Sequence, residues 1–102
     1  MPYIISYLWF PPHLSNTAAQ RYLETIQKYP LISSIKRLIP AAIASDKEGI
    51  EVMAIDEVKR NDLGEALEYI GKFLVEFRNI EGLRYHSRVF NTLSEAMSLI
   101  GK

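Results

Sequence analysis

Residues 2–12, PYIISYLWFPP, constrain the fold of this chain more than any other stretch. Tyr3–Phe10 is apolar almost throughout, rich in aromatics, and closed at both ends by proline. A short run of this kind reads as a β-strand with both faces covered. The prolines bound it, because neither can donate a hydrogen bond to a neighbouring strand. The remaining residues must therefore supply flanking strands and a layer to cover them.

They do so in a regular order. Ser15 or Asn16 is placed to cap a helix whose apolar positions, Ala18, Ala19, Tyr22, Leu23 and Ile26, recur at helical spacing; Tyr29-Pro30 closes it. Ile32–Ser45 is rich in strand formers but contains Pro40, which predicts an edge strand with a break. The turn Asp46–Gly49 leads into a second strand, Ile50–Ile55, and the two form a hairpin. Asn61 or Asp62 caps what reads as the longest helix, with a stripe of Leu63, Ala66, Leu67, Ile70, Phe73, Leu74 and Phe77. Asn79–Gly82 stops it, and Leu83–Phe90 is the fourth strand. Thr92 and Glu95 stand at capping-box spacing before a short tail helix carrying Leu93, Ala96, Met97 and Ile100. The order is β-α-β-β-α-β plus a tail helix. The right-handed crossover rule then predicts a ferredoxin-like α+β domain over residues 1–102: four antiparallel strands, with both long helices on one face.

Twelve basic and twelve acidic side chains cancel. That balance removes the whole-molecule electrostatic case for nucleic acid or for an anionic membrane. It also gives little repulsion between copies, so a homodimer or a higher homo-oligomer is expected. With no cysteine, disulfides, thiolate metal sites and cysteine nucleophiles are excluded, and a reducing cytoplasm fits. The N-terminal run lacks the basic start and small-residue cleavage site of a signal peptide. It is also far shorter than the roughly 20 residues of a membrane span. The chain reads as soluble and cytoplasmic.

This topology leaves one sheet face without helices, and the alternation along each strand says what that face presents. Strand four separates Leu83, Tyr85, Ser87 and Val89, expected against the helices, from Arg84, His86, Arg88 and Phe90. Strand three turns Ile50, Val52 and Ala54 inward and Glu51, Met53 and Ile55 outward. On strand one, Tyr3, Ile5, Tyr7 and Trp9 are assigned to the open face, because Tyr and Trp bring a polar handle to a half-wet surface. So large an apolar surface marks an interface or a ligand site.

With these elements in place, the chain resembles the dimeric α+β barrel proteins, ferredoxin-like domains whose sheets pair into a barrel. The element order carries the resemblance from Tyr3 to Phe90 and through the tail helix. The opening IISYLWFPPHLSNTAAQRYLE is similar to the start of the stress-responsive and small cofactor-free monooxygenase branches. The resemblance implies a homodimer that encloses a cavity. Its known branches include cofactor-free monooxygenases, haem-degrading enzymes, isomerase-like and dehydratase-like proteins, and members without known activity.

His86 is the candidate catalytic residue, mid-strand on the open face and flanked at i±2 by Arg84 and Arg88, an arrangement that suits a neutral base; a satisfied interface histidine is the plainer reading. Arg84 and Arg88 could hold an oxyanion, since a guanidinium matches planar anions; pairing with Glu51 or Glu57 is the plainer reading. Tyr7, Trp9 and Met53 would line a pocket for an apolar or aromatic ligand, or else fill an interface. His13, just after the proline pair, could serve as a base or donor at the mouth of that pocket, or simply pack in its loop. Two histidines without ligand spacing make no metal set, and no cofactor is implied. Asp56–Asp62, DEVKRND, reads as a solvated mixed-charge loop. Lys36 and Arg37, with Arg21 and Lys28, are the one candidate basic patch. Two functions remain: a binder of a small, largely apolar molecule, with cofactor-free oxygenase or proton-transfer chemistry, or a non-enzymatic association module whose open face only mediates oligomerisation.

Overall fold

The computed structural model describes residues 1–101. Its elements are β1 (Tyr3–Phe10), α1 (Ser15–Lys28), β2 (Ile35–Asp46), β3 (Gly49–Val58), α2 (Leu63–Val75), β4 (Arg84–Phe90) and α3 (Leu93–Leu99). The sheet order is β2-β3-β1-β4, antiparallel at every joint. Each helix connects two parallel strands across one intervening strand, which is how two crossovers interlock in a ferredoxin-like fold.

The core lies between sheet and helices. Ile4 and Leu8 of β1, Ile35 of β2 and Val58 of β3 pack against Ala66, Tyr69, Ile70 and Leu74 of α2, with Phe77 and Ile80 beyond its end. The helices contribute unequally. α2 buries four residues, whereas α1 buries only Ala18 and Thr25, and its Leu23 and Ile26 are exposed. The inner stripe of α1 therefore runs through Ala18, Tyr22 and Thr25, not through Leu23 and Ile26.

Several boundaries differ from the sequence reading for local reasons. Each long helix is preceded by a 3₁₀ turn, Pro12–Leu14 or Arg60–Asp62, and neither receives a side-chain cap. Ser15 instead donates its hydroxyl back to Pro12 O. α1, at 14 residues, is one longer than α2, which gives way to turns after Val75. β2 carries two register shifts, between Arg37 and Ile39 and between Ile39 and Ala42, so Pro40 sits where the ladder is already broken. The Asp46 carboxylate accepts from the Glu48 and Gly49 amides and closes the hairpin. Thr92 and Glu95 form the capping box of α3.

The largest correction concerns Asp56–Asp62. β3 continues through Val58, and Asp56 has no exposed surface. Its inner phase continues that of Val52 and Ala54, and Arg37, opposite it on β2, reaches it with Nε and Nη2 at 2.7 and 3.0 Å. Three of the four members of the candidate basic patch are engaged. Arg37 holds Asp56, Lys28 pairs with Glu76, and Arg21 donates to Glu76 O.

Candidate functional site

The open face has the composition read from the sequence. Tyr7 lies between Met53 on β3 and His86 on β4, and Trp9 between Glu51 and Arg84. The rings of Tyr7 and His86 stack with centroids 4.7 Å apart. The Arg84 guanidinium stands 4.6 Å from the centroid of the Trp9 ring, and Arg88 stands 5.0 Å from that of Phe90. Both arginines thus rest on aromatic faces, a favourable site for a cation. Neither pairs with Glu51 or Glu57 among the described residues. Tyr7, Trp9, Glu51, Arg84 and His86, with Glu48 from the hairpin turn, line a shallow basin of about 310 Å³.

Gly49 fixes the indole in that basin. A Cβ built there would fall 2.6 Å from the Trp9 ring, so only glycine lets the indole lie flat on the β3 backbone. His86 and Arg84 are exposed, and among the described residues nothing closes the basin. His13 lies elsewhere, exposed in the 3₁₀ turn after β1, and lines none of the cavities described here.

A second site lies on the other side of the sheet. α1 presents Ser15, Ala18 and Ala19 toward the strands, where larger residues would fill the layer, and Ala41 of β2 is equally small. The result is an apolar crevice of about 180 Å³, with Leu8 and Phe10 on one wall and Ile43, 70% exposed, at its lip. It shares Leu8, Tyr22 and Val52 with a smaller recess of about 40 Å³, reaching Ser6, Arg37 and Tyr69. Tyr69 donates its hydroxyl to Tyr29 O at 2.7 Å, and burial pushes its pKa up. Arg37 is held above its ordinary pKa, first by its hydrogen bonds to Asp56. Among the described residues Ser6 Oγ is buried without a hydrogen-bond partner.

Ser6, Tyr22, Arg37, Asp56 and Tyr69 were not singled out from the sequence as site residues. One signal was available: continuing the alternation of Val52 and Ala54 by one step places Asp56 on the inner face.

Among the described residues no cluster of histidine, aspartate and glutamate could hold a metal ion. No helix is long and apolar enough to cross a membrane.

The domain is ferredoxin-like. No protein-family model matches the chain, and no curated protein matches it in sequence. Among solved structures it is similar to a de novo designed protein, Foldit4, at a TM-score of 0.56 and 10% identity, over 90% of this chain and 99% of that one. It is also similar to a dimeric ferredoxin-like protein from an uncultured marine organism, at a TM-score of 0.41 and 16% identity, over 91% of this chain and 97% of that one. The first of these likenesses supports the fold alone.

Proposed function

We propose that this protein is a small-molecule-binding domain that pairs with a second copy through its open sheet face and holds a small, largely apolar guest between sheet and helices. The observation that carries the reading is the 180 Å³ apolar crevice, left open by small residues on α1. Apolar cavities of about 150 Å³ take up benzene-sized guests.

Charge placement supports the pairing. Glu51 and Arg84 flank Trp9 at one level of the sheet, on opposite sides of β1. A two-fold axis parallel to β1, between two such faces, sets β4 of one copy over β3 of the other. Arg84 of each copy then meets Glu51 of its mate, and the aromatic row on β1 packs against itself. Pairing would also close the basin around Tyr7 and Trp9. Within it His86 would act as a base, with Arg88 on the same strand, left free of Glu51 by the pairing, holding an oxyanion, in proton-transfer or cofactor-free oxygenase chemistry. The competing reading, an association module with no guest, predicts the same pairing and an empty crevice.

Sedimentation of charge-reversed variants, with a titration of ethylbenzene followed by NMR, tests both halves. Glu51→Arg or Arg84→Glu alone should weaken association by about tenfold, and the double reversal should restore it. Ethylbenzene should shift the amides of Ala18, Ile43 and Val52. A chain that stays monomeric throughout overturns the pairing; unmoved amides overturn the guest and leave the association module.

A further inference from the structure

We infer that the guest is an uncharged molecule carrying one oxygen, a ketone or alcohol of a single ring or short chain, with the oxygen seated on Ser6 in the recess beside Arg37. The inference rests on the reading of the crevice as a small-molecule site. It adds what chemistry that site selects.

The oxygen comes from Ser6. Its hydroxyl is buried on the recess wall without a partner, a state that costs desolvation with no bond in return. A guest oxygen relieves it. The other polar groups there are largely engaged: Tyr69 donates to Tyr29 O, and Arg37 holds Asp56 with Nε and Nη2. Among the described residues Ser6 Oγ is thus the polar side-chain atom of the recess that is buried with no partner.

The absence of charge follows from Asp56. Arg37 and Asp56 form a neutral pair, and the carboxylate is wholly buried. A guest carboxylate would bring a second negative charge into a poorly solvated recess where the cation is already matched, and like charges in such a place raise each other's energy. A neutral oxygen has no such penalty. The apolar remainder is set by adjacency: the recess shares Leu8, Tyr22 and Val52 with the crevice, whose walls are almost entirely hydrocarbon.

The test uses three probes of one ring and similar size on the full chain: ethylbenzene, acetophenone and benzoate, titrated at neutral pH with amide shifts as readout. Acetophenone should bind more tightly than benzoate. Ser6→Ala should weaken acetophenone by about 3- to 10-fold, the worth of one hydrogen bond, and leave ethylbenzene within twofold. Tighter binding of benzoate than of acetophenone overturns the inference, because the site would then be reading an anion through Arg37. So does an equal effect of Ser6→Ala on acetophenone and ethylbenzene. If Ser6→Ala does not fold, the order of acetophenone and benzoate on the unaltered chain still decides. Failure of all three probes to bind overturns the small-molecule reading itself.

Discussion

Successive residues of β1 enter surroundings that treat charge in opposite ways. Toward the helices, Ile4, Leu8 and Phe10 are buried beside a single ion pair, Arg37 with Asp56, in which both carboxylate oxygens are bonded. Toward the open face, Tyr7 and Trp9 are half-buried, and the arginines beside them lie on rings instead of carboxylates. On the inner face the chain satisfies its own charge. On the open face it stacks cations on aromatics and leaves Glu51 exposed. The two faces therefore divide the work: one holds the fold and a crevice, the other carries the surface proposed to pair with a second copy.

The sharpest way to break that division is to remove one member of the inner pair. Asp56→Ala leaves the Arg37 guanidinium without its partner in the layer that carries the core. Breaking a buried pair costs about 3–5 kcal/mol; because the Arg37 side chain keeps 20% exposure, we expect the low end, ~3 kcal/mol, by urea denaturation. Replacing both, as Arg37→Met with Asp56→Leu, should come within about 1 kcal/mol of the parent, since a packed apolar pair needs no compensation. Arg84→Ala, on the open face, should cost under about 1 kcal/mol. If Arg84→Ala proves as damaging as Asp56→Ala, the contrast between the faces is wrong.

A smaller effect tests how firmly the open face is set. Gly49→Ala places a methyl group 2.6 Å from the Trp9 indole, so the ring must lift and Arg84 loses its platform. Overpacking of this kind costs about 1–3 kcal/mol. The chain has one tryptophan, so its fluorescence reports that ring alone. An unshifted emission spectrum with unchanged stability would mean that the indole is not held against β3.

The open face was legible in the sequence because alternation is a local signal. Once β1, β3 and β4 were in phase, Tyr7, Trp9, Met53, Arg84, His86 and Arg88 had to share a side. The hairpin turn and the capping box of α3 were legible for the same reason, each being set within four residues. The inner site was not. Asp56 opens a run of charges that reads as loop, and its burial depends on Arg37, nineteen residues earlier and in register only because β2 bulges after it. The crevice depends on what α1 lacks: Ala18 and Ala19 read as ordinary core positions until the sheet opposite them is in place.

The smallest effect lies at a region that belongs to neither face. α3 is seven residues long, with Leu93 and Leu99 exposed at 78% and 71%, so little apolar packing holds it. So short a helix does not persist on propensity alone. Its anchor is Glu95, which accepts from the Thr92 amide and pairs with the Met1 nitrogen and Arg60. The Thr92 amide first, and then the Met1 nitrogen, lower the Glu95 pKa from 4.5 to about 2. A carboxyl depressed in the folded state stabilises it above the unfolded pKa, and that contribution is lost as pH falls from 4.5 toward 2. Protection factors across Leu93–Leu99, taken against the intrinsic exchange rate at each pH, should therefore fall over that window, before those of the β1 amides. Glu95→Gln should show low protection in α3 at neutral pH and no further loss on acidification. Protection in α3 that stays flat down to pH 2 would show that something other than Glu95 holds the helix, and its exposed leucines would then be the place to look.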